Sequence, residues 1–141
     1  MTTTKGKGKM KPTIYIAGPM RGRPDFNRAA FNAATERLAA RGWQPINPVD
    51  IEKIYPCVDE DGHVCRGRLL DLMAVERAFV AHVNAVYLLD GWEASEGVRA
   101  ELRAFYDDGG FLVFLESNGT PDARGERNGT PDVIMEGSGT K

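Results

Sequence analysis

The stretch IYIAGPMRG, residues 14–22, decides the fold that we predict for this chain. Its first residues are apolar and partly β-branched, and they are followed by glycine and proline, which is typical of a short strand buried on both faces. Such strands belong to parallel sheets that are covered by helices. The loop after the strand contains Arg21, so we expect this cation at the carboxyl edge of the sheet, where open α/β sheets bind their ligands.

Patterns of strand and helix alternate along the rest of the chain. Asp25 is the predicted N-cap of the first helix, and Gly42 its stop signal. We predict strands at 13–18, 43–47, 85–89 and 111–115, and helices at 25–41, 69–83 and 95–107. We read 48–66 as a long connection that contains a DEDG turn and is able to cover a crevice as a lid. The fold class is α/β: a flavodoxin-like or Rossmann-like doubly wound parallel sheet in the order 2-1-3-4, with a possible fifth strand.

Composition limits the classes of function. The chain has 141 residues, 42% hydrophobic, and a formal net charge of −2, so we expect one globular domain without the basic surface that binds nucleic-acid polymers or anionic membranes. It contains no apolar run of membrane-spanning length, and we expect a cytoplasmic protein. We predict a disordered basic leader at 1–11, a folded domain at 12–116, and a Gly/Pro/Asn-rich tail at 117–141 with a short last strand at 133–135.

Neither a metal nor an organic cofactor is predicted. Cys57, His63 and Cys65 lack the paired C-x₂-C spacing of structural zinc sites, and no fourth ligand is evident. The GKGK segment near the start follows no strand and lacks the frame of a phosphate-binding P-loop.

The predicted strand order places a crevice between the first and third strands, with the loops GPMRG (18–22) and DGWEASEG (90–97) on its two sides. Ser95 is the predicted N-cap of the third helix, where free backbone N–H groups can bind an oxyanion or a phosphate. A serine N-cap alone usually only stabilises its helix, but an arginine on the neighbouring loop makes anion binding a comparable alternative. The candidate binding residues are Gly18, Met20, Arg21, Gly22, Trp92, Ser95 and Gly97.

Two glutamates occupy helix positions where the hydrophobic pattern does not predict a charged residue. Glu76 completes the apolar stripe of the second long helix and is therefore expected to point inward, where it needs a partner or a chemical role. Glu101 lies at the border of the apolar stripe of the third helix. The alternative is that Glu76 pairs with an arginine on a helix flank and that Glu101 is a solvated surface residue. The arginines within reach by sequence are Arg77, Arg99 and Arg103.

Three segments in this order, IYIAGPMRG, ERAFVAHVNAVYLLDGW (76–92) and SEGVRAE (95–101), resemble the nucleoside 2-deoxyribosyltransferase superfamily. They are most similar to its small phage and bacterial branch and to the 2'-deoxynucleoside 5'-monophosphate N-glycosidases. The resemblance covers about residues 12–115. It implies the host cytoplasm as the location if the protein is phage-encoded.

The resemblance implies roles for three residues in catalysis. Glu101 matches the glutamate that acts as nucleophile on the anomeric carbon, and Tyr15 matches the tyrosine that orients this carboxylate. Glu76 occupies the place of an acidic residue near the base or sugar, although relatives usually have aspartate there. Asp71 is a competing candidate for that acid.

The resemblance also implies how a 5'-phosphate would be bound. Ser95 stands where the monophosphate-using branch has serine, and Arg21 matches the arginine of the loop after the first strand. Pro19 departs from the pattern, because some relatives have a serine there that donates to the phosphate. Neighbouring subunits often complete the pocket in this superfamily, so we expect a homodimer or a higher homo-oligomer, with Asn118 or the tail contributing across the interface.

The sequence therefore predicts an N-glycosidase that hydrolyses nucleoside 5'-monophosphates, chiefly 2'-deoxynucleotides, through a covalent glycosyl-glutamate intermediate. Two alternatives stay open. The first is a nucleoside or nucleotide 2-deoxyribosyltransferase, which moves deoxyribose between bases. The second is a module that binds a nucleotide without cleaving it.

Overall fold

The computed structural model describes residues 10–54, 56, 59–61, 63 and 65–123. Strands and helices alternate along this part of the chain, and 3-10 turns precede α1, precede α4 and follow β4. The elements are β1 Thr13–Ala17, α1 Arg28–Ala40, β2 Gln44–Ile46, α2 Pro48–Ile54, α3 Arg66–Val80, β3 Ala85–Leu88, α4 Glu96–Asp107 and β4 Leu112–Leu115.

The four strands form one parallel sheet in the order β2-β1-β3-β4, which confirms the predicted α/β fold class and strand order. Tyr15 of β1 lies opposite Val86 of β3, and Val86 lies opposite Val113 of β4. The order reverses direction between β1 and β3, so the loops after these two strands meet at one edge of the sheet. The predicted fifth strand, at 133–135, lies outside the described residues.

Alternate residues of β1 enter two different cores. Ile14 and Ile16 pack with residues of α1, whereas Tyr15 and Ala17 pack with residues of α3 and α4. Successive side chains of a strand point to opposite faces of the sheet, so both faces are covered by helices, as the apolar run of β1 predicts. Tyr15 is thereby placed on the face that carries α3 and α4.

The start of α1 differs from the prediction. Asp25 is not its N-cap: residues Pro24–Asn27 form a 3-10 turn, and α1 begins only at Arg28. Asp25, Phe26 and Asn27 all have positive φ values, of 50°, 55° and 64°. The Asn27 side chain donates a hydrogen bond to the Pro19 carbonyl at 2.9 Å, which ties this turn to the loop after β1. This contact between two loops explains why local capping rules do not locate the start of the helix.

Part of the predicted long connection 48–66 is a helix. The Oδ1 atom of Asn47 accepts a hydrogen bond from the backbone N–H of Val49 at 2.9 Å, and Pro48 occupies the first position of α2. The Asn47 amide also donates to side chains of α1, at 3.0 Å. The prediction that all of 48–66 is a connection is therefore wrong. The second long helix, α3, begins at Arg66 and ends at Val80, three residues earlier at each end than predicted.

The described residues continue past 116, the predicted end of the folded domain, and pack against it. The indole N–H of Trp43 donates to the Pro121 carbonyl at 2.9 Å, and the N–H of Ala123 donates to the Arg41 carbonyl at 3.0 Å. Ala123 itself is buried. The rest of the predicted tail, and the predicted leader up to residue 9, lie outside the described residues.

Along the part of the chain described above, none of the helices combines the length and the apolar character needed to cross a bilayer.

Candidate functional site

A pocket of about 490 Å³ lies at the carboxyl edge of the sheet, where the loops after β1 and β3 meet. Its walls come from these two loops, from α2 and α3, and from the first turns of α4. The volume is in the range of pockets that bind small organic ligands. Its position at the reversal of strand order is where the sequence predicts the crevice.

Tyr15 and Glu101 form the most closely defined contact at this site. The Tyr15 hydroxyl donates a hydrogen bond to Oε2 of Glu101 at 2.8 Å. Burial, together with the charges of Glu101 and Glu76, raises the pKa of Tyr15 well above its ordinary value. The phenol therefore keeps its proton and acts as a fixed donor that orients the Glu101 carboxylate. Glu101 lines the pocket, so the alternative that it is a solvated surface residue is wrong.

The Glu101 carboxyl group is poised between its two protonation states near neutral pH. Burial raises its pKa to about 7, and the Tyr15 hydrogen bond and the charge of Arg77 oppose that rise. A hydrogen bond to the ionised form is worth more in a desolvated site than in water. The site can therefore hold Glu101 as a carboxylate that is weakly solvated and fixed in orientation.

Glu76 of α3 points into the same pocket, as its place in the apolar stripe predicts. It is only 9% exposed, and its Oε2 atom has no hydrogen-bond partner among the described residues. Burial raises the pKa of Glu76 to about 8, with further increases from the charges of Glu101 and Glu52 and an opposing effect of Arg77. Near neutral pH the group is mainly the neutral acid.

The alternative that Glu76 pairs with an arginine on a helix flank is wrong for the described part of the chain. No ion pair joins Glu76 to Arg77, Arg99 or Arg103 there. The Arg99 guanidinium instead donates to the backbone carbonyl of Glu93. Arg77 acts on Glu76 through its charge alone.

The rim of the pocket carries groups suited to an anion. Arg21 and Arg23 are exposed residues of the loop after β1, and both line the pocket. Arg21 makes no hydrogen bond or ion pair with any other residue that the structure describes. Ser95 is the N-cap of α4, as predicted, because its Oγ accepts from the N–H of Val98 at 3.2 Å. Helix N-termini and arginines both favour bound phosphate.

A cavity of about 20 Å³ adjoins both carboxyl groups. It is lined by Met73, Glu76, Arg77, Gly97 and Glu101. This volume is enough for one water molecule, and the polar groups around it can hydrogen-bond to that water. The site therefore has room for a small reactant beside the two glutamates.

The structure brings most of the predicted site residues together, but not all of them. Gly18, Met20, Arg21, Ser95 and Gly97 line the pocket with Glu76 and Glu101. Tyr15 is fully buried and reaches the site through its hydrogen bond to Glu101. Gly18 has a packing role as well, because a Cβ atom there would lie 2.8 Å from that of Leu89.

Four predicted residues lie away from the lining of this pocket. Asp71 is exposed on α3, next to the buried Leu72, so it is a poor competitor of Glu76 for the role of acid. Trp92 packs against the core between the sheet and α3 and α4. Gly22 and Asn118 are exposed, the latter in the 3-10 turn after β4.

Several residues that sequence reasoning did not select as site residues also line the pocket, among them Arg23, Phe26 and Glu52. Glu52 is the most informative of them, since it is only 7% exposed and its Oε1 lies 3.2 Å from Nη1 of Arg28. It was missed because 48–66 was read as a connection. The Asn47-Pro48 pair is the signal that could have revealed α2, since asparagine at the N-cap and proline at the first position favour a helix start.

Three side chains that carry metal-ligand atoms lie close to one another, apart from the residues that line this pocket. Asp59, Asp61 and His63 are exposed, and one ligand atom from each lies within 4.8 Å of the others. Oδ1 of Asp59 accepts from the N–H groups of Asp61 and His63, at 2.9 and 2.8 Å. These bonds stabilise the turn that the DEDG sequence predicts, and the cluster needs no metal to explain it.

The chain belongs to the family described as "Domain of unknown function (DUF4406)". The model of this family matches residues 12–111. No curated protein is similar enough in sequence to count as a match. The matched region contains every residue that lines the pocket. The family description names no activity, so the chemistry of the site has to be argued from its geometry.

Proposed function

We propose that this member of the DUF4406 family is an N-glycosidase that hydrolyses nucleoside 5'-monophosphates, chiefly 2'-deoxynucleotides, to free base and sugar 5-phosphate. The observation that carries the proposal is the pair of carboxyl groups on one pocket: Glu101 is held by Tyr15, and Oε2 of Glu76 has no hydrogen-bond partner among the described residues. Two carboxyl groups with different protonation preferences are what glycosidic bond cleavage uses. The resemblance to the nucleoside 2-deoxyribosyltransferase superfamily supports the same conclusion.

In the first step the Glu101 carboxylate attacks the anomeric carbon of the sugar. The N-glycosidic bond breaks as the new carbon–oxygen bond forms, and the departing base nitrogen receives the electron pair of the broken bond. Glu76 gives its proton to the base, which leaves as a neutral molecule. The pKa of about 8 for Glu76 keeps that proton available near neutral pH.

In the second step water attacks the anomeric carbon of the glycosyl-Glu101 ester. Glu76, now ionised, takes one proton from the water, and the bond between the sugar and Glu101 breaks to regenerate the carboxylate. The cavity beside Glu76 and Glu101 has room for one water molecule. Hydrolysis is therefore proposed ahead of transfer to a second base.

The 5'-phosphate would be bound at the rim of the pocket. Arg21 is exposed there without a protein partner among the described residues, and Arg23 lines the same wall. The first turn of α4 adds backbone N–H groups. Among the described residues, a Cβ atom at Gly97 would meet Ser95 Oγ alone, at 3.8 Å, so the space beside these N–H groups is open.

The experiment incubates the whole protein with the four 2'-deoxynucleoside 5'-monophosphates and their ribose counterparts, and measures free base by chromatography. We expect base and sugar phosphate in equal amounts from at least one nucleotide. Glu101→Gln should reduce kcat by about 10³-fold or more, because the carboxylate nucleophile is lost. Glu36→Gln is the matched control, since it makes the same change on an exposed face of α1.

Other outcomes would identify the two alternatives. Base exchange only when a second base is supplied would indicate a deoxyribosyltransferase. Nucleotide binding by calorimetry without release of base, unchanged in Glu101→Gln, would indicate a binding module. Either result would overturn the proposed hydrolysis.

A further inference from the structure

A small cavity extends the pocket beyond the two glutamates. Four residues line both the pocket of about 490 Å³ and the cavity of about 20 Å³: Met73, Glu76, Gly97 and Glu101. Arg77 lines the cavity but is not among the residues of the pocket wall. The cavity therefore joins the pocket at the two carboxyl groups and runs from them toward Arg77.

The cavity lies between two helices and has an exposed residue at its outer end. Met73, Glu76 and Arg77 belong to α3, whereas Gly97 and Glu101 belong to α4. Arg77 is exposed, so the cavity lies next to solvent at this residue. We call this cavity, with its five lining residues, the α3–α4 passage.

The mouth of the pocket is a different opening. Its exposed arginines, Arg21 and Arg23, lie on the loop after β1 and line the pocket but not the passage. The inference rests on the proposed function, in which a nucleotide with its phosphate at Arg21 fills this mouth. The residues that the structure describes then leave water another route to the glutamates, along the passage.

The passage is selective by size. Its volume of about 20 Å³ is enough for one water molecule but far below that of a nucleobase or a sugar. Met73 lies where the passage joins the pocket, and it is partly buried there. An unbranched methionine side chain fills irregular gaps, so Met73 can narrow the passage without closing it.

We propose that the α3–α4 passage supplies the water of the second step, and that Met73 makes it too narrow for larger acceptors. The oxygen of this water bonds to the anomeric carbon, and one of its protons goes to Glu76. The bond between the sugar and Glu101 breaks, and its electron pair returns to the Glu101 carboxylate. The enzyme therefore hydrolyses the intermediate even while the released base still lies in the mouth.

Methanol tests the width of the passage. It accepts the sugar as water does and gives the methyl glycoside of the sugar phosphate, but it is larger by a methyl group. Met73→Ala should raise the ratio of methyl glycoside to free sugar phosphate about tenfold over wild type, the discrimination expected from one carbon in a fitted site. Leu70→Ala, which truncates an exposed side chain of the same helix, is the control and should leave the ratio unchanged. Mass spectrometry of the products measures this ratio.

Because Met73 also lines the pocket, a second pair of variants tests the route itself. Arg77→Trp and Arg77→Gln remove the same charge, but only tryptophan adds bulk at the outer end. The first release of base should be equal in the two variants, since the mouth is unchanged. Release of sugar phosphate should be about tenfold slower in Arg77→Trp, with the sugar phosphate adduct accumulating on the peptide that contains Glu101. Both variants change an exposed residue, so both should fold, which circular dichroism checks.

The passage and the cleavage reaction fail in different ways. Equal release of sugar phosphate by the two Arg77 variants, or a product ratio of Met73→Ala equal to that of wild type, overturns the passage and leaves the N-glycosidase intact. Release of base slowed as much as release of sugar phosphate in Arg77→Trp has the same meaning. If wild type releases no base from any nucleotide, the N-glycosidase is wrong and the role of the passage is wrong with it.

Discussion

The two faces of the sheet satisfy their polar groups in opposite ways. On the face covered by α1, the Trp43 indole donates to the Pro121 carbonyl, and Arg37 bridges Tyr87 and Glu116. On the face covered by α3 and α4, Glu76 keeps an oxygen without a hydrogen-bond partner among the described residues. The α1 face thus pairs these polar groups, whereas the face of α3 and α4 contains buried carboxyl groups that cost stability and can take part in chemistry.

The largest expected loss of stability comes from a substitution in the core on the α1 face. Phe31 is fully buried there, so Phe31→Ala should reduce the free energy of unfolding by about 3 to 5 kcal/mol through lost apolar contacts and a cavity. Urea denaturation measures it, with Ala29→Gly on the exposed side of the same helix as the control for helix propensity. A loss below about 1 kcal/mol would contradict the packing of Phe31 in this core.

The next expected effect is a gain of stability, and it comes from a substitution on the face that carries the pocket. The pKa of Glu76 rises from 4.5 in the unfolded chain to about 8 in the folded protein, so ionisation favours the unfolded chain between these values. The contribution of Glu76 to stability is fully present below about pH 4.5 and is lost as the pH rises through about 8. Glu76→Gln, which never ionises, should therefore gain stability over wild type across this window.

Thermal unfolding of Glu76→Gln and wild type at pH 5 and pH 8.5 measures this gain. We expect a difference on the order of 2 kcal/mol at pH 8.5, or roughly 5 °C in Tm, and a much smaller one at pH 5. Glu36→Gln should show no such pH dependence, because Glu36 is exposed. Equal differences at both pH values would mean that Glu76 is ionised in the folded protein.

A smaller effect is expected on the same face from removing the hydrogen bond that orients Glu101 while the packing of the core is kept. Tyr15→Phe removes the hydrogen bond that lowers the pKa of Glu101 but keeps the ring in the core. In the proposed enzyme the acid limb of the pH–rate profile, expected near pH 7, should move to higher pH, and kcat should fall about 10- to 100-fold. Tyr87→Phe, on the other face, is the control and should leave the profile unchanged.

The smallest effect concerns Arg77, whose charge lowers the pKa of both pocket glutamates. Because Arg77 is exposed, Arg77→Gln should move both limbs of the pH–rate profile upward by only about 0.1 to 0.7 pH units. The shift should shrink at high salt, where exposed charges are screened. The control is Arg103→Gln, which makes the same change at an exposed arginine of α4. A downward shift would contradict the assignment of charges around the pocket.

The sequence predicted the features that depend on periodicity and failed where distant segments decide the local structure. The apolar runs around Ile14 and Val86 gave the parallel sheet and its order, and the stripe of α3 placed Glu76 inside. The turn at Pro24–Asn27 was missed because Asn27 is held by the Pro19 carbonyl. Glu52 could not be found without α2, whose N-cap residue is tied to α1.

The same distinction separates the site residues that the sequence predicted correctly from those that it did not. Arg21 and Ser95 follow from the rule that ligands bind where strand order reverses, and both line the pocket. Trp92 and Asn118 were selected as members of loops near the crevice, but the direction of a side chain in a loop depends on its packing. Trp92 contacts the core, and Asn118 is exposed beyond β4.

The proposed reaction requires that Glu101 bonds to the sugar and that Glu76 only moves protons. Its most direct test uses deoxyribose 5-phosphate joined to 4-nitrophenolate, a leaving group that departs without a proton, and mass spectrometry of the acid-quenched protein. Glu76→Gln should still release nitrophenolate and accumulate a protein adduct of one deoxyribose phosphate on the peptide that contains Glu101, whereas Glu101→Gln should do neither. Release by Glu101→Gln at the rate of wild type, with no adduct in Glu76→Gln, would rule out Glu101 as the nucleophile.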